Sequence, residues 1–391
     1  MVIDMNASNI ETRGWPSKRS PMKWTPPNPA ASRCAKVEMV KPDHLTRREE
    51  SDKKLKRIGV DLAKSVFQVH GVDSHERVQV RKQLKRSQML DFFRQVESPC
   101  VVAMEACGSS HYWGRELIKL GHEVRLISPQ FVKPYVKSGK NDANDAEAIC
   151  EAASRPTMRF VAVKTGDQQA GQALHRIRSR LIKSRTALTN EVRGLLGEFG
   201  LVMPVKGVAA CRRLIAEVLE DGENGLPGLM RQMLFQLSEE LTQRDQQIGE
   251  LDELIKQQCR TDERVKRLLE IDGIGPISAS AVVAAIGDAK QFTGSRDLSA
   301  WVGLVPRQHS SGGKEQLGHI TKRGDTYLRT LLIHGARAVV NACQTKTDRK
   351  SKWIQNLITR RNKNIATVAL ANKNARIIWA VLTRDEAYRP G

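Results

Sequence analysis

The sequence predicts an α/β domain followed by an almost wholly helical remainder, with a polar, cationic loop set into its second half. Three features of the chain carry that prediction. Between Arg57 and Ser128, three short β-prone runs come first and then alternate with amphipathic stretches, the pattern of a mixed sheet with helices on its faces. From Leu174 to Ile255, apolar residues recur at threes and fours or their multiples, the period of long helices. The formal net charge of +21 over 391 residues makes a polyanion the expected partner. Nucleic acid is the first candidate, because neutralised phosphates release counterions.

A membrane surface is the rival reading of that charge, but no run approaches the roughly 18 apolar residues of a span. The N-terminus also lacks an apolar signal-peptide core. The seven cysteines are scattered, odd in number and without a Cys-x-x-Cys pair, as expected of reduced thiols in a cytosol. Residues 1–56 hold six of the fifteen prolines and no sustained apolar period, which predicts a disordered basic arm. Trp15 and Trp24 among its lysines and arginines are stacking candidates.

From Arg57 the runs RIGVDLA, VFQVHGV and RVQVRKQ read as a three-strand meander, with a turn around Asp73 and Ser74. A helix over 87–96, the strand CVVAMEA, a helix near 111–120 and the strand HEVRLIS follow. This order predicts a ribonuclease H-type mixed sheet over 57–160. Four acids fall where such a sheet would gather them. Asp61 sits on the first strand between apolar neighbours, Glu105 ends the fourth, and Asp142 and Asp145 share one helical face by their i, i+3 spacing. Clustered carboxylates repel unless neutralised, and Mg²⁺ neutralises them with hard oxygen ligation while activating phosphodiester chemistry. Taken singly, Asp142 also reads as a helix cap and Asp145 as a solvated helix residue.

Residues 161–262 predict two long helices broken by GENGLPG, packed as an antiparallel pair or as a coiled coil with another subunit. Arg176, Arg178, Arg180, Lys183 and Arg185 on the first suit either nucleic-acid contact or a solvated face. The last region, 263–391, opens on IDGIGPISA, where Gly273 and Gly275 before an apolar helix resemble a helix-hairpin-helix turn offering N–H groups to a phosphate; a plain tight turn is the alternative. In HSSGGKEQLGHITKRG, Ser310 and Ser311 precede two glycines, with Lys314, Lys322 and Arg323 near in sequence. Such a serine suits attack on a phosphate or phosphate binding, whereas a polar Gly/Ser loop is the plainer reading. A helix is expected over 331–340. Residues 346–376 then hold nine Lys or Arg against one acid, with Arg360, Arg361 and Lys363 at their centre, suited to lying along a phosphate backbone. Residues 377–382 predict a short, packed final helix.

RIGVDLAKSVFQV, AMEACGSS, KNDANDAEAI, IDGIGPISA and GLVPRQHSSGGKEQLGHITKRGDTYLRTLL, in this order over roughly 57–385, closely resemble the DEDD transposases of bacterial insertion sequences, the IS110 group that includes the Piv-type DNA invertases. The HSSGGK form is similar to the IS1111 branch. The resemblance implies a domain like the Holliday-junction resolvase RuvC, a coiled-coil linker and a C-terminal transposase domain bearing a nucleophilic serine. Carried over by motif, the acids are Asp61, Glu105, Asp142 and Asp145, and the serine is Ser311, with Ser310 second. It further implies Mg²⁺, element-end and target DNA, a structured noncoding guide RNA, a homo-oligomer of two or four copies, and action in the bacterial cytoplasm on nucleoid DNA. The chain departs from the commoner Glu-Ala-Thr-Gly at Cys107, which puts a threonine-dependent hydrogen bond there in doubt. Two rivals stay open: a junction-resolving nuclease that uses metal-activated water with Ser311 structural, and a nucleic-acid-binding protein without catalysis.

Overall fold

The computed structural model describes residues 54–137, 142–202, 204 and 207–388. The arm expected at 1–56, with Trp15 and Trp24, lies outside them except for its last three residues. Those three belong to the sheet margin: Leu55 packs against its core and Lys56 N donates to Val72 O at 2.9 Å.

Six strands form one mixed sheet: β1 (Arg57–Leu62), β2 (Val66–Val72), β3 (Val78–Lys85), β4 (Val101–Glu105), β5 (Glu123–Ile127) and β6 (Phe160–Val161), in the order β3-β2-β1-β4-β5-β6. β1, β2 and β3 pair antiparallel, as the meander predicts, and β1–β4 and β4–β5 are parallel. The turn falls at Asp73, whose Oδ1 accepts from His75 N (2.8 Å) and Arg77 N (2.9 Å). The two-residue β6, antiparallel to β5, was not expected.

Alternation along the strands sets two faces. Ile58, Val60, Val102 and Met104 point into a core shared with α1 (Met89–Gln95) and α2 (Ser110–Lys119), through Phe93, Trp113 and Leu117. Ala103 and Ile127 face the other way, onto α3 (Pro129–Val132) and α4 (Asp142–Ala152), through Val132, Ala148 and Ile149. Gly59, Asp61 and Glu105 share the parity of that second face.

α5 (Gly166–Glu198) starts from a capping box in which Gln168 N donates to Thr165 Oγ1 and Thr165 N to Gln168 Oε1. It pairs within the chain with α7 (Gly228–Thr261). Arg178 meets Asp252 and Arg185 meets Asp245, so rising numbers oppose falling ones and the pair is antiparallel. Between them lies α6 (Val208–Glu220), which the sequence reading left out; its Cys211, Ile215 and Val218 close the far end of the pair over Val192, Leu196 and Leu234.

The C-terminal core packs α8 (Glu263–Leu269), α9 (Pro276–Ile286), α10 (Ser295–Val302), α11 (Thr326–Ala342), α12 (Arg349–Arg360) and α13 (Lys363–Arg384) around Leu268, Val282, Leu332, Leu370 and Ile378. The separate final helix expected at 377–382 is instead the last part of the 22-residue α13. The serine stretch is not a plain loop either: β7 (Pro306–Gln308) and β8 (Leu317–Ile320) make a two-stranded ribbon. Among the described residues, no helix is long and apolar enough to cross a membrane, and Cys100, Cys107, Cys150, Cys211, Cys259 and Cys343 are free thiols.

Candidate active site

Asp61, the last residue but one of β1, and Glu105, the last of β4, stand at the ends of the two central strands of the sheet. The parallel register sets Val60 opposite Met104, so each acid follows one residue on, side by side at the carboxyl ends of β1 and β4. The helix that meets them is α4, and Gly59 is what lets it come close. A Cβ at Gly59 would lie 2.2 Å from Ala146 O and 2.6 Å from Cys150 N, so the strand and helix backbones are nearly in contact there. Arg57 fixes the far end of α4, its buried guanidinium donating from Nε to Cys150 O at 2.8 Å and pairing with Glu76.

With α4 so placed, its first turn brings Asp142 and Asp145 over Asp61. One carboxylate oxygen from each of the three lies within 4.8 Å of the others. Burial, and then the charges of Asp145, Asp142 and Glu105, push the Asp61 carboxyl up to about 6. Burial and Asp145 raise Glu105 as well, so Glu105 is coupled to the site although it stands outside the tightest trio. Among the described residues, no lysine or arginine forms an ion pair with any of the four. A set of carboxylates, half-buried except for the exposed Asp142, that offers only hard oxygen donors and has no paired cation among the described residues fits a divalent cation such as Mg²⁺, Mn²⁺ or Ca²⁺.

Cys107, two residues past Glu105, holds its turn through its main chain: its carbonyl accepts from Ser110 Oγ at 2.9 Å and Ser110 N at 3.3 Å. The local turn therefore closes without a side-chain hydroxyl at position 107.

Ser311 stands at the exposed tip of the ribbon. It opens a four-residue turn closed by Lys314 N donating to Ser311 O at 3.1 Å. Gly312 (φ 56°) and Gly313 (φ 79°) occupy the two central positions, the left-handed pair a type I′ hairpin turn demands. Ser310 is tied inward: its Oγ accepts from Gln308 Nε2 at 2.9 Å and from Gln316 N at 3.4 Å. Lys314 shares the tip, while Lys322 and Arg323 lie at the base. There Lys322 N donates to Gly303 O at 3.2 Å. The residue that locks this base was not singled out from the sequence: buried Arg329 donates to Val302 O and Arg323 O, both at 2.9 Å, and to Thr326 Oγ1 at 3.0 Å. Among the described residues, the ribbon's hydrogen bonds stay within its own strands and base, and none reaches the acids.

The other expected contact residues are dispersed. Gly273 (φ +85°) has its α-carbon against the α11 backbone, where a Cβ would meet Gly335 O at 2.8 Å, so its lack of a side chain serves packing. Gly275 is the exposed cap residue before Pro276 of α9. Arg360, Arg361 and Lys363 are exposed at the corner between α12 and α13. Of the basic segment around them, Lys350 pairs with Asp272 at 2.6 Å and Lys373 lies 4.8 Å over the Trp353 ring.

Four acids converging at the carboxyl ends of central strands, in a chain of high positive charge, define an enzyme class that works on nucleic-acid phosphodiesters. Known proteins place it more closely. A family model described as "Transposase", of the DEDD IS110 type, matches residues 58–200, and a second, described as "Transposase IS116/IS110/IS902 family", matches 265–352. The chain is 62% identical to a probable family 20 transposase of Pseudomonas aeruginosa over 86% of its own length and 99% of that protein. It is 51% identical to the transposase for insertion sequence element IS1111A of Coxiella burnetii, over 88% and 94% of the two. To the transposase for IS1328 of Yersinia enterocolitica it is 44% identical, over 85% and 98%. The chain belongs to the IS110 family of DEDD transposases, enzymes that move insertion sequences by acting on element DNA.

Proposed function

We propose that this transposase cleaves and rejoins DNA through a covalent phosphoserine link made by Ser311, with the sheet domain acting as a RuvC-like metal site. The observation that carries the reading is the convergence of Asp61, Asp142 and Asp145 with Glu105 beside them, where burial and then the neighbouring carboxylates raise the Asp61 carboxyl. Asp61, Asp142 and Asp145 would hold Mg²⁺, with Glu105 beside them. A cation bound there supplies Lewis-acid stabilisation to the non-bridging phosphate oxygens.

Ser311 Oγ attacks the phosphorus; the Oγ–P bond forms as the P–O3′ bond breaks, and the hydroxyl proton passes to the departing 3′ oxygen. The products are a 5′-phosphoserine and a free 3′-hydroxyl, and rejoining reverses the step on another strand. Exposure of Ser311 on a narrow ribbon suits a nucleophile that enters a separate acid centre. The site is then completed between copies of the chain, as a dimer or tetramer, with Lys314, Lys322 and Arg323 steadying the phosphate. Gly273, Gly275, Arg360, Arg361 and Lys363 would add backbone contacts. A structured RNA from the element would select the DNA by base pairing, leaving the protein to bind shape and phosphate, within the bacterial cytoplasm on nucleoid DNA.

The test mixes purified protein, Mg²⁺, RNA from the gene's flanks and labelled element-junction DNA, and looks for a protease-sensitive protein–DNA adduct. Wild type and Ser310→Ala should form it and Ser311→Ala should not. Cleavage without an adduct in all three would make the enzyme a metal-dependent nuclease and remove the serine from the chemistry.

A further inference from the structure

Five of the six lysines and arginines on α5, all but Arg193 near its far end, divide into two rows. Arg178 and Arg185, two turns apart, turn toward α7 and are neutralised there: Arg178 Nη2 lies 3.3 Å from Asp252 Oδ2, and Arg185 Nη1 2.5 Å from Asp245 Oδ1. Arg176, Arg180 and Lys183, spaced i, i+4 and i+7 along another face, have no acid partner among the described residues and are exposed. They line a cavity of about 390 Å³ between α5 and the start of α11, together with Gln172, Ser179 and Asp325.

The floor of this cavity is a fixed polar network. His175, buried beneath it, has Nδ1 3.2 Å from Tyr327 Oη and Nε2 3.1 Å from Ser280 Oγ. Burial keeps its ring neutral, with its pKa down at about 4, so the cavity's positive charge comes from the three cations. Asp325 is the one acid in the lining, and its Oδ1 is spent on the N–H groups of Tyr327 (2.8 Å) and Leu328 (3.1 Å) as the cap of α11. Like charges at these spacings destabilise a helix, whereas the neighbouring row shows that this arm neutralises its cations where it packs against itself. The unbalanced row spans about 10 Å of helix axis, enough for about three phosphates of one strand at 3.4 Å each.

We infer that this cleft is a phosphodiester-backbone site, holding a nucleic-acid strand on its way to or from the Ser311 ribbon. Arg176, Arg180 and Lys183 neutralise successive phosphates, and Gln172 and Ser179 supply neutral donors between them. The placement fits: Asp325 follows Lys322, Arg323 and Gly324 at the base of the ribbon, so a strand in the cleft passes beside it. The inference rests on the chain being a nucleic-acid transposase and is independent of the serine chemistry, because it is read from binding without cleavage.

The experiment measures fluorescence anisotropy of fluorescein-labelled 30-mers, as single-stranded DNA, duplex DNA and RNA of the same sequence, from 50 to 300 mM salt without divalent metal. The variant Arg176→Gln/Arg180→Gln/Lys183→Gln should bind ~10-fold or more weakly and flatten the log Kd against log salt slope by roughly 2 to 3, since each lost phosphate contact removes about 0.7 to 0.9. Arg176→Lys/Arg180→Lys should restore most of the affinity. A matched loss of charge elsewhere, Lys119→Gln/Lys256→Gln/Lys266→Gln, should change the slope little. A loss confined to DNA or to RNA names the strand that occupies the cleft, and a loss for both makes it a general backbone site. Unchanged slopes in the cleft variant, or equal losses in both triple variants, would overturn the inference, and circular dichroism melting of each protein separates either result from misfolding.

Discussion

The carboxylates of Asp61 and Asp145 approach within 4.8 Å of one another at the end of β1, with that of Asp142 inside the same distance. In the metal-free protein this proximity is unfavourable, and it can be measured. The Asp61 carboxyl, ordinarily near 3.8, stands at about 6 in the folded chain, so folding favours its protonated form. That contribution is fully present below about pH 4 and is lost as pH rises through about 6. Asp61→Asn should therefore raise the stability of the metal-free protein at pH 7.5 by on the order of 1 kcal/mol, after allowance for the group's partial exposure. The gain should vanish at pH 4. Melting curves with a chelator at both values check it, and the same variant should abolish cleavage while leaving nucleic-acid binding intact.

Metal affinity should carry the opposite pH dependence. A ligand carboxylate must be deprotonated, so cation and proton compete for Asp61. Calorimetric titration with Mg²⁺ or Mn²⁺ should show weaker binding at pH 5.5 than at pH 7.5, with protons released on binding near pH 6. Affinity that does not change across that range would take Asp61 out of the ligand set.

Gly59→Ala should separate α4 from β1. The added methyl meets main-chain atoms of Ala146 and Cys150, which no rotamer change can relieve, so the expected cost is about 2–3 kcal/mol, with loss of high-affinity metal binding. Gly108→Ala, where a Cβ meets nothing within 4 Å, is the matched control and should be near neutral in both assays.

Arg329→Met removes the guanidinium that joins Val302, Arg323 and Thr326 under the ribbon. The buried Val302 carbonyl and the part-buried Arg323 carbonyl then lose their donor, at about 1–3 kcal/mol in all. DNA cleavage should fall more than stability does, because the ribbon's base loosens while the helical core is untouched. Comparing the melting shift with the cleavage rate in one preparation decides this.

The acids could be read from the sequence because two of them sit in apolar strands, where a carboxylate has no ordinary use, and because two lie one helical turn apart. Gly59 could have been read with them: a glycine inside a strand run signals close backbone approach, and here it determines where α4 lies. The ribbon was hidden for a different reason. Arg307, Gln308, Leu317 and His319 are exposed on both sides, so no alternation of apolar and polar residues marks its strands. Only Gly312-Gly313 hinted at a hairpin. In α13, lysines, asparagines and Arg376 interrupt the apolar period and mask one helix as two segments, although Ala366, Leu370, Ala371 and Ala375 keep a continuous buried stripe. The meeting of Asp325, Tyr327 and α5 depends on tertiary packing that no local pattern encodes.

The antiparallel pairing of α5 and α7 makes the middle of the chain an out-and-back excursion. α5 leaves the sheet domain for 33 residues, roughly 50 Å of helix, and α7 returns over 34 to within two residues of α8. The two family matches stop at residue 200 and resume at 265, so α6 at the far end of this arm and the whole return limb lie between them. Its two ends are fixed by the parts they join, and its length by the number of turns in each limb. Removing two turns from each limb should draw the tip inward and leave the sheet and the ribbon where they were. The arm has the form of a calliper, its jaws set by the two cores and its reach by the turns of helix between them.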